Sequence, residues 1–231
     1  MIHMKDKYNL NRRESFFLLK KTMVELIHST SKLENVKTTF PQTQTLVGGM
    51  SVSGVSTDDI LVILNLKHAY QYIISLVDSD KDLEKLNNSE ILPVACMINS
   101  YVSYNESLEW GVLRKGSVGI HGVNYIPTIP KEEDVLNDIE TIMTLNESMT
   151  YRILKYTYYA MRSQLFWDGN KRTAILTANT MLTLNGLGVL NIKEQDLEQW
   201  HELLTEFYET NNDSKIIEWT YTNCIYGIDY N

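Results

Sequence analysis

Apolar residues recur along most of this chain at steps of three and four, as on helices that turn one face inward; strict alternation is rare. The pattern predicts helices over 13–33, 57–77, 81–104, 132–146, 149–164, 170–186, 194–210 and 212–226. With 4 Pro and 11 Gly in 231 residues, few positions force a break. One stretch reads differently. From Ser117 through Val118, Gly119, Ile120, His121 and Gly122 to Pro127, β-branched residues and glycines surround a turn and a proline closes it, which predicts a short β-hairpin. The segment 37–56, with Pro41, Gly48, Gly49 and Gly54, reads as an irregular link. The expected fold class is mainly α, a helical bundle with a short hairpin. An N-terminal arm, 1–56, is expected to pack with a helical core, 57–231, as one compact unit.

Composition narrows the function classes. At 43% apolar and 22% charged residues the chain can bury a sizeable core. A formal net charge of -8 and a pI near 5.2 argue against general nucleic-acid or anionic-membrane partners, which call for a basic face. The sequence shows no apolar run approaching the roughly 20 residues of a membrane span and no signal core, so the expected location is the cytoplasm. Cys96 and Cys224 have neither disulfide-framework nor zinc spacing. His3, His28 and His201 show no ligand spacing, His68 reads as a packed or capping residue, and the 14 tyrosines read as core and its polar margins.

Chemistry concentrates in Phe166-Trp167-Asp168-Gly169-Asn170-Lys171-Arg172. The glycine stops one helix and Asn170 opens the next, so the N–H groups of Gly169, Asn170 and Lys171 would line an anion site at a helix N-terminus. Gly169 lets phosphate approach closely, Arg172 offers a planar fork, and Asp168 offers a hard oxygen to Mg²⁺. On residue types alone an ordinary capped helix start, with Lys171 and Arg172 in solvent, explains the run equally well.

The run resembles the signature of the Fic (Fido) family, His-Pro-Phe-x-Asp/Glu-Gly-Asn-Gly/Lys-Arg-x-x-Arg. Phe166, Asp168, Gly169, Asn170, Lys171 and Arg172 match it. Upstream, 112–122 with Tyr125-Ile126-Pro127 is similar to the segment leading into the family's flap, which holds a target peptide by strand addition; Val62 to Ala69 is similar to a family helix. Thr30, Glu34 and Asn35 fit the Ser/Thr-x-x-x-Glu-Gly/Asn pattern of an inhibitory helix found in one class, whose glutamate obstructs the ATP γ-phosphate. The resemblance implies AMP transfer from ATP to a protein hydroxyl with Mg²⁺ at Asp168 and phosphates at 169–172. It also implies docking of an unknown protein target along 118–122, with a homodimer as a candidate assembly.

Three positions depart from the signature. Gln164 stands where the family has its general-base histidine, and a carboxamide cannot take a proton near neutral pH. Leu165 replaces the proline, and Ile175 replaces the second arginine, the usual partner of the inhibitory glutamate. Glu34 is left with Arg172 as a substitute partner. Two readings follow: a weak or inactive adenylyltransferase, or de-AMPylase, and a nucleotide- or peptide-binding pseudoenzyme. His121 is a candidate replacement base, and Doc-type phosphoryl transfer ranks lower because it needs the same histidine.

Overall fold

The computed structural model describes residues 4–78 and 85–229. Within them the chain forms the helices α1 (Arg12–Lys32), α2 (Phe40–Val47), α3 (Thr57–Val77), α4 (Asn88–Val102), α5 (Glu132–Met143), α6 (Met149–Ser163), α7 (Asn170–Leu184), α8 (Leu197–Thr210) and α9 (Ser214–Cys224). One short antiparallel pair joins β1 (Val189–Leu190) to β2 (Ile225–Tyr226). The mainly α class expected from the sequence is the one observed.

Local chemistry sets the ends. Asn11 and Glu14 form a reciprocal capping box before α1, Ser56 accepts from Asp59 N before α3, and Ser148 accepts from Tyr151 N before α6. Four expectations shift. The helix predicted from 81 begins at 88, with the Asn87 N–H donating 2.8 Å to Glu90; positions 81–84, like His3, lie outside the described residues. The segment 37–56 is not wholly irregular, because Thr39 and Gln42 form a second capping box and Pro41 sits in the first turn of α2. The last predicted helix stops at Cys224 so that Ile225 and Tyr226 can pair with Leu190 and Val189. The predicted hairpin turns at His121–Gly122, where Gly122 has φ +76° and Val123 N donates to Ile120 O at 3.2 Å, but it carries no strand ladder. Among the described residues no strand pairs with it, and strand preference without a partner strand does not make a sheet.

The centre of the molecule is α7. From Arg172 to Thr183 every residue is buried, against α1, α3, α4 and α6. Several of its polar groups are satisfied inside: Thr177 and Thr180 donate to the carbonyls four residues back, and Asn179 bonds both N–H and C=O of Leu190, whereas the buried Thr183 hydroxyl has no hydrogen-bond partner among the described residues. Leu19, Leu26 and Ile27 of α1 share the core with Ile63 and Leu66 of α3, so the first helix is packed in rather than loosely attached. By length and composition α3 is apolar enough to cross a membrane, against the sequence expectation; here its buried face, Ile63 to Ile73, packs against α1, α4 and α7.

Candidate functional site

The site lies in the turn between α6 and α7. Gln164 ends α6 in the left-handed conformation (φ +46°) and Leu165 and Phe166 go into the core. Asn170 closes the loop: its Oδ1 accepts from Phe166 N at 2.9 Å, and its Nδ2 donates to Phe166 O at 2.9 Å and Gln164 Oε1 at 3.1 Å. The Asp168 carbonyl accepts from Asn99 at 3.0 Å and Ser103 at 2.9 Å, fixing the loop on α4. Gly169 has φ +70°, and a Cβ there would stand 2.4 Å from Ser103 Oγ and 2.9 Å from Val102 Cγ1. The turn therefore needs glycine for both its conformation and its contact with α4.

The unpaired N–H groups of the first turn of α7 open into a cleft of about 330 Å³. Glu34, Val118, Gly119, Ile120, His121, Gln164, Asp168, Asn170 and Lys171 all line it. Residues far apart in sequence are thus brought together. One expected donor differs: Gly169 N–H is engaged by Asp168 Oδ1 at 2.6 Å. Thr30 and Asn35 do not line the cleft. Thr30 is buried next to Tyr70, and Asn35 takes the left-handed turn after α1 (φ +57°) that presents Glu34. Gly122 supplies the turn between the lining residues His121 and Val123.

Arg172 is sequestered. It is 1% exposed, with Nη2 and Nη1 on the two oxygens of Glu106 at 2.8 and 3.2 Å, Nη1 also on Val102 O at 3.2 Å, and Nε 3.4 Å from Glu34 Oε1. Burial works against its charge, and Glu106, Glu34 and Asp168 outweigh burial, so its pKa is raised. The substitute partnership of Glu34 with Arg172 is realised. Lys171 also meets this end of α1, with Nζ 3.0 Å from Leu33 O and 3.8 Å from Glu34.

Gln164 Nε2 donates to Met161 O at 2.6 Å, which turns the amide toward its own helix. Behind it Arg114, 1% exposed, binds only carbonyls: Gln164 O and Gly116 O at 2.5 Å each, Thr128 O at 2.6 Å and Ser163 O at 3.3 Å. One side chain thus ties both legs of the 116–128 segment to the motif loop. Sequence reasoning did not give that role to Arg114, nor any role to Glu106, because neither has a fixed spacing to the motif. It also passed over α8, whose His201, Leu204, Thr205 and Tyr208 wall the cleft. Burial lowers the His201 pKa and Lys171 adds to the effect, which favours the neutral imidazole. Among the described residues no group of three His, Cys, Asp or Glu could hold a metal alone. Asp168, with its side chain about half exposed, suits a Mg²⁺ that takes its remaining ligands from phosphate and water.

A helical bundle around a buried motif helix, with a cleft at that helix's N-terminus, defines a Fic-type fold. The chain matches the solved structure of Fic-1 (residues 134–508) from C. elegans with a TM-score of 0.72 at 18% identity, over 89% of this chain and 61% of that one. It matches a Fic-domain signalling protein from Bacteroides thetaiotaomicron with a TM-score of 0.66 at 15% identity, over 92% and 86%. Proteins named protein adenylyltransferase Fic, from Aedes aegypti and Culex quinquefasciatus, are each 25% identical over 191 residues, 80% of this chain. The chain spans 37% of the length of these curated relatives. No family model matches it. In sequence the chain is similar to these Fic adenylyltransferases, and in fold to Fic-domain proteins, over most of its length.

Proposed function

We propose that this chain is a Fic-type adenine-nucleotide-binding protein in which AMP transfer from ATP to a protein hydroxyl is weak or absent. The observation that carries this reading is the single cleft in which Glu34, the 118–121 segment and Gln164, Asp168, Asn170 and Lys171 meet at the N-terminus of α7. The first turn of α7 and Lys171 would hold phosphate, Asp168 would hold Mg²⁺, and the 118–122 segment would receive an extended target peptide. The reading of low activity rests on Gln164. The AMP-transfer step needs a group to take the hydroxyl proton as oxygen attacks the α-phosphorus and pyrophosphate leaves, and an amide pinned to Met161 O is no such group. Glu34, lodged between Lys171 and Arg172, would stand where phosphates arrive.

Titration calorimetry of the full chain with Mg²⁺ and adenine nucleotides, next to Asp168→Ala and Lys171→Ala, tests this reading. Binding that is weakened in both variants is expected. No heat with AMP, ADP or ATP, repeated after Glu34→Gly, would remove the nucleotide site from the account.

A further inference from the structure

Lys171 and Arg172 are neighbours in sequence, yet only Lys171 lines the cleft. The guanidinium of Arg172 runs beneath the start of α7 into a two-point contact with Glu106. Glu106 is held in turn: Asn65, 3% exposed, donates from Nδ2 to Glu106 Oε1 at 2.9 Å and to Tyr104 O at 3.0 Å. The carboxylate is 15% exposed and the arginine side chain 2%. Swinging Arg172 out to a ligand phosphate would leave Glu106 an unpaired, largely buried anion, which is costly.

The consequence is a shortage of positive charge where phosphates would sit. Glu34 and Asp168 face Lys171, and Ile175 contributes no cation. A metal at Asp168, Lys171 and the α7 N-terminus can together neutralise one phosphate group. A triphosphate brings two more with no described cation awaiting them in the cleft. We propose that Glu106, by withholding Arg172, makes this a site for adenosine carrying a single phosphate in preference to the triphosphate. The proposal rests on the reading of the cleft as a nucleotide site. The same chemistry is offered by free AMP and by an adenylyl group esterified to a protein hydroxyl.

The test is titration calorimetry of the full chain in Mg²⁺ with AMP, the methyl ester of AMP and ATP, on wild type, Glu106→Gln and Glu34→Gly. In wild type, AMP or its ester is expected to bind roughly tenfold or more tightly than ATP. A preference for AMP points to the free nucleotide, and a preference for the ester to the modified side chain. Glu106→Gln keeps the shape and an acceptor for Asn65 while removing the charge; it is expected to tighten ATP roughly tenfold and change AMP less than about twofold. ATP binding wild type as tightly as AMP and its ester overturns the proposal while leaving the nucleotide site standing. So does recovery of ATP binding in Glu34→Gly but not in Glu106→Gln. Absence of binding by all three ligands overturns the nucleotide reading together with the proposal. Should Glu106→Gln fail to fold, the order of affinities in wild type decides.

Discussion

Gln164 and Gly169 show how differently single residues bear on the site. Gln164 costs the site a proton acceptor and costs the fold nothing evident, since its amide bonds Met161 and Asn170. Gln164→His in a Glu34→Gly background is therefore expected to raise AMP transfer from α-labelled ATP by about 10²–10⁴-fold, the usual worth of general-base help. A flat result, with nucleotide still bound, would put the defect in the lost arginine at 175, and Ile175→Arg would be the next variant. Gly169 has the opposite balance. Its Cβ would enter the space of Ser103 and Val102 in a left-handed backbone conformation. Gly169→Ala should lower stability by about 1–3 kcal/mol in urea unfolding, through overpacking and backbone strain together. An unchanged midpoint would mean the α4–α7 contact yields freely.

Among the elements, the 114–128 segment hangs on one buried cation. Arg114 faces carbonyls alone, and bonds from a charged donor are worth about 1.5–3 kcal/mol each in measured series, with strong overlap when they share one group. Arg114→Ala is expected to speed amide hydrogen exchange from 116 to 128 and to destabilise the fold by about 3 kcal/mol or more; exchange that stays slow would show that Trp167, packed on Gly116, suffices to hold the segment. How much was legible in advance follows the reach of each signal. The boundaries of α3 were readable because Ser56 caps a long apolar-periodic run. The short α2 was missed although Thr39, Pro41 and Gln42 announce its first turn, because the glycines that follow masked a helix of only 8 residues. The hairpin was half legible: Gly122 marks the turn, but pairing depends on a partner strand that sequence pattern does not supply. The motif singled out Asp168, Asn170 and Lys171, and all three line the cleft. The fate of Arg172 was hidden, since it is decided by Glu106 and Asn65, which arrive from distant elements.

At the scale of the whole molecule, the end of α1 that carries Glu34 is fastened by a latch of three elements. His28 of α1 meets Thr43 of α2 at 2.9 Å, sets its ring edge against Phe40, and lies 3.6 Å from Glu194 in the turn before α8. Lys32, one helical turn further along, reaches Thr38 O at 2.6 Å and Glu194 at 3.3 Å. Burial lowers the His28 pKa and the nearby Lys32 charge lowers it further, with Glu194 opposing both; His201 at the cleft wall is lowered as well. The sign of the linkage follows. Above about pH 6.5, the ordinary histidine value, both folded and unfolded chains hold these rings neutral and the full stability is present. Below it the unfolded chain takes up protons first, so stability falls as pH drops toward the folded-state values. Thermal melts at pH 7.5 and 5.5 should show a lower Tm at the acid end, and His28→Gln, which keeps an acceptor for Thr43 but cannot titrate in this range, should show a smaller drop. Equal drops in the two proteins would mean that the latch does not sense pH. If the smaller drop is seen, amide protection around Leu33 to Val36, with the intrinsic pH dependence of exchange divided out, should also fall with acid in wild type and not in His28→Gln, because the protonated ring loosens the helix end that holds Glu34 against Lys171 and Arg172.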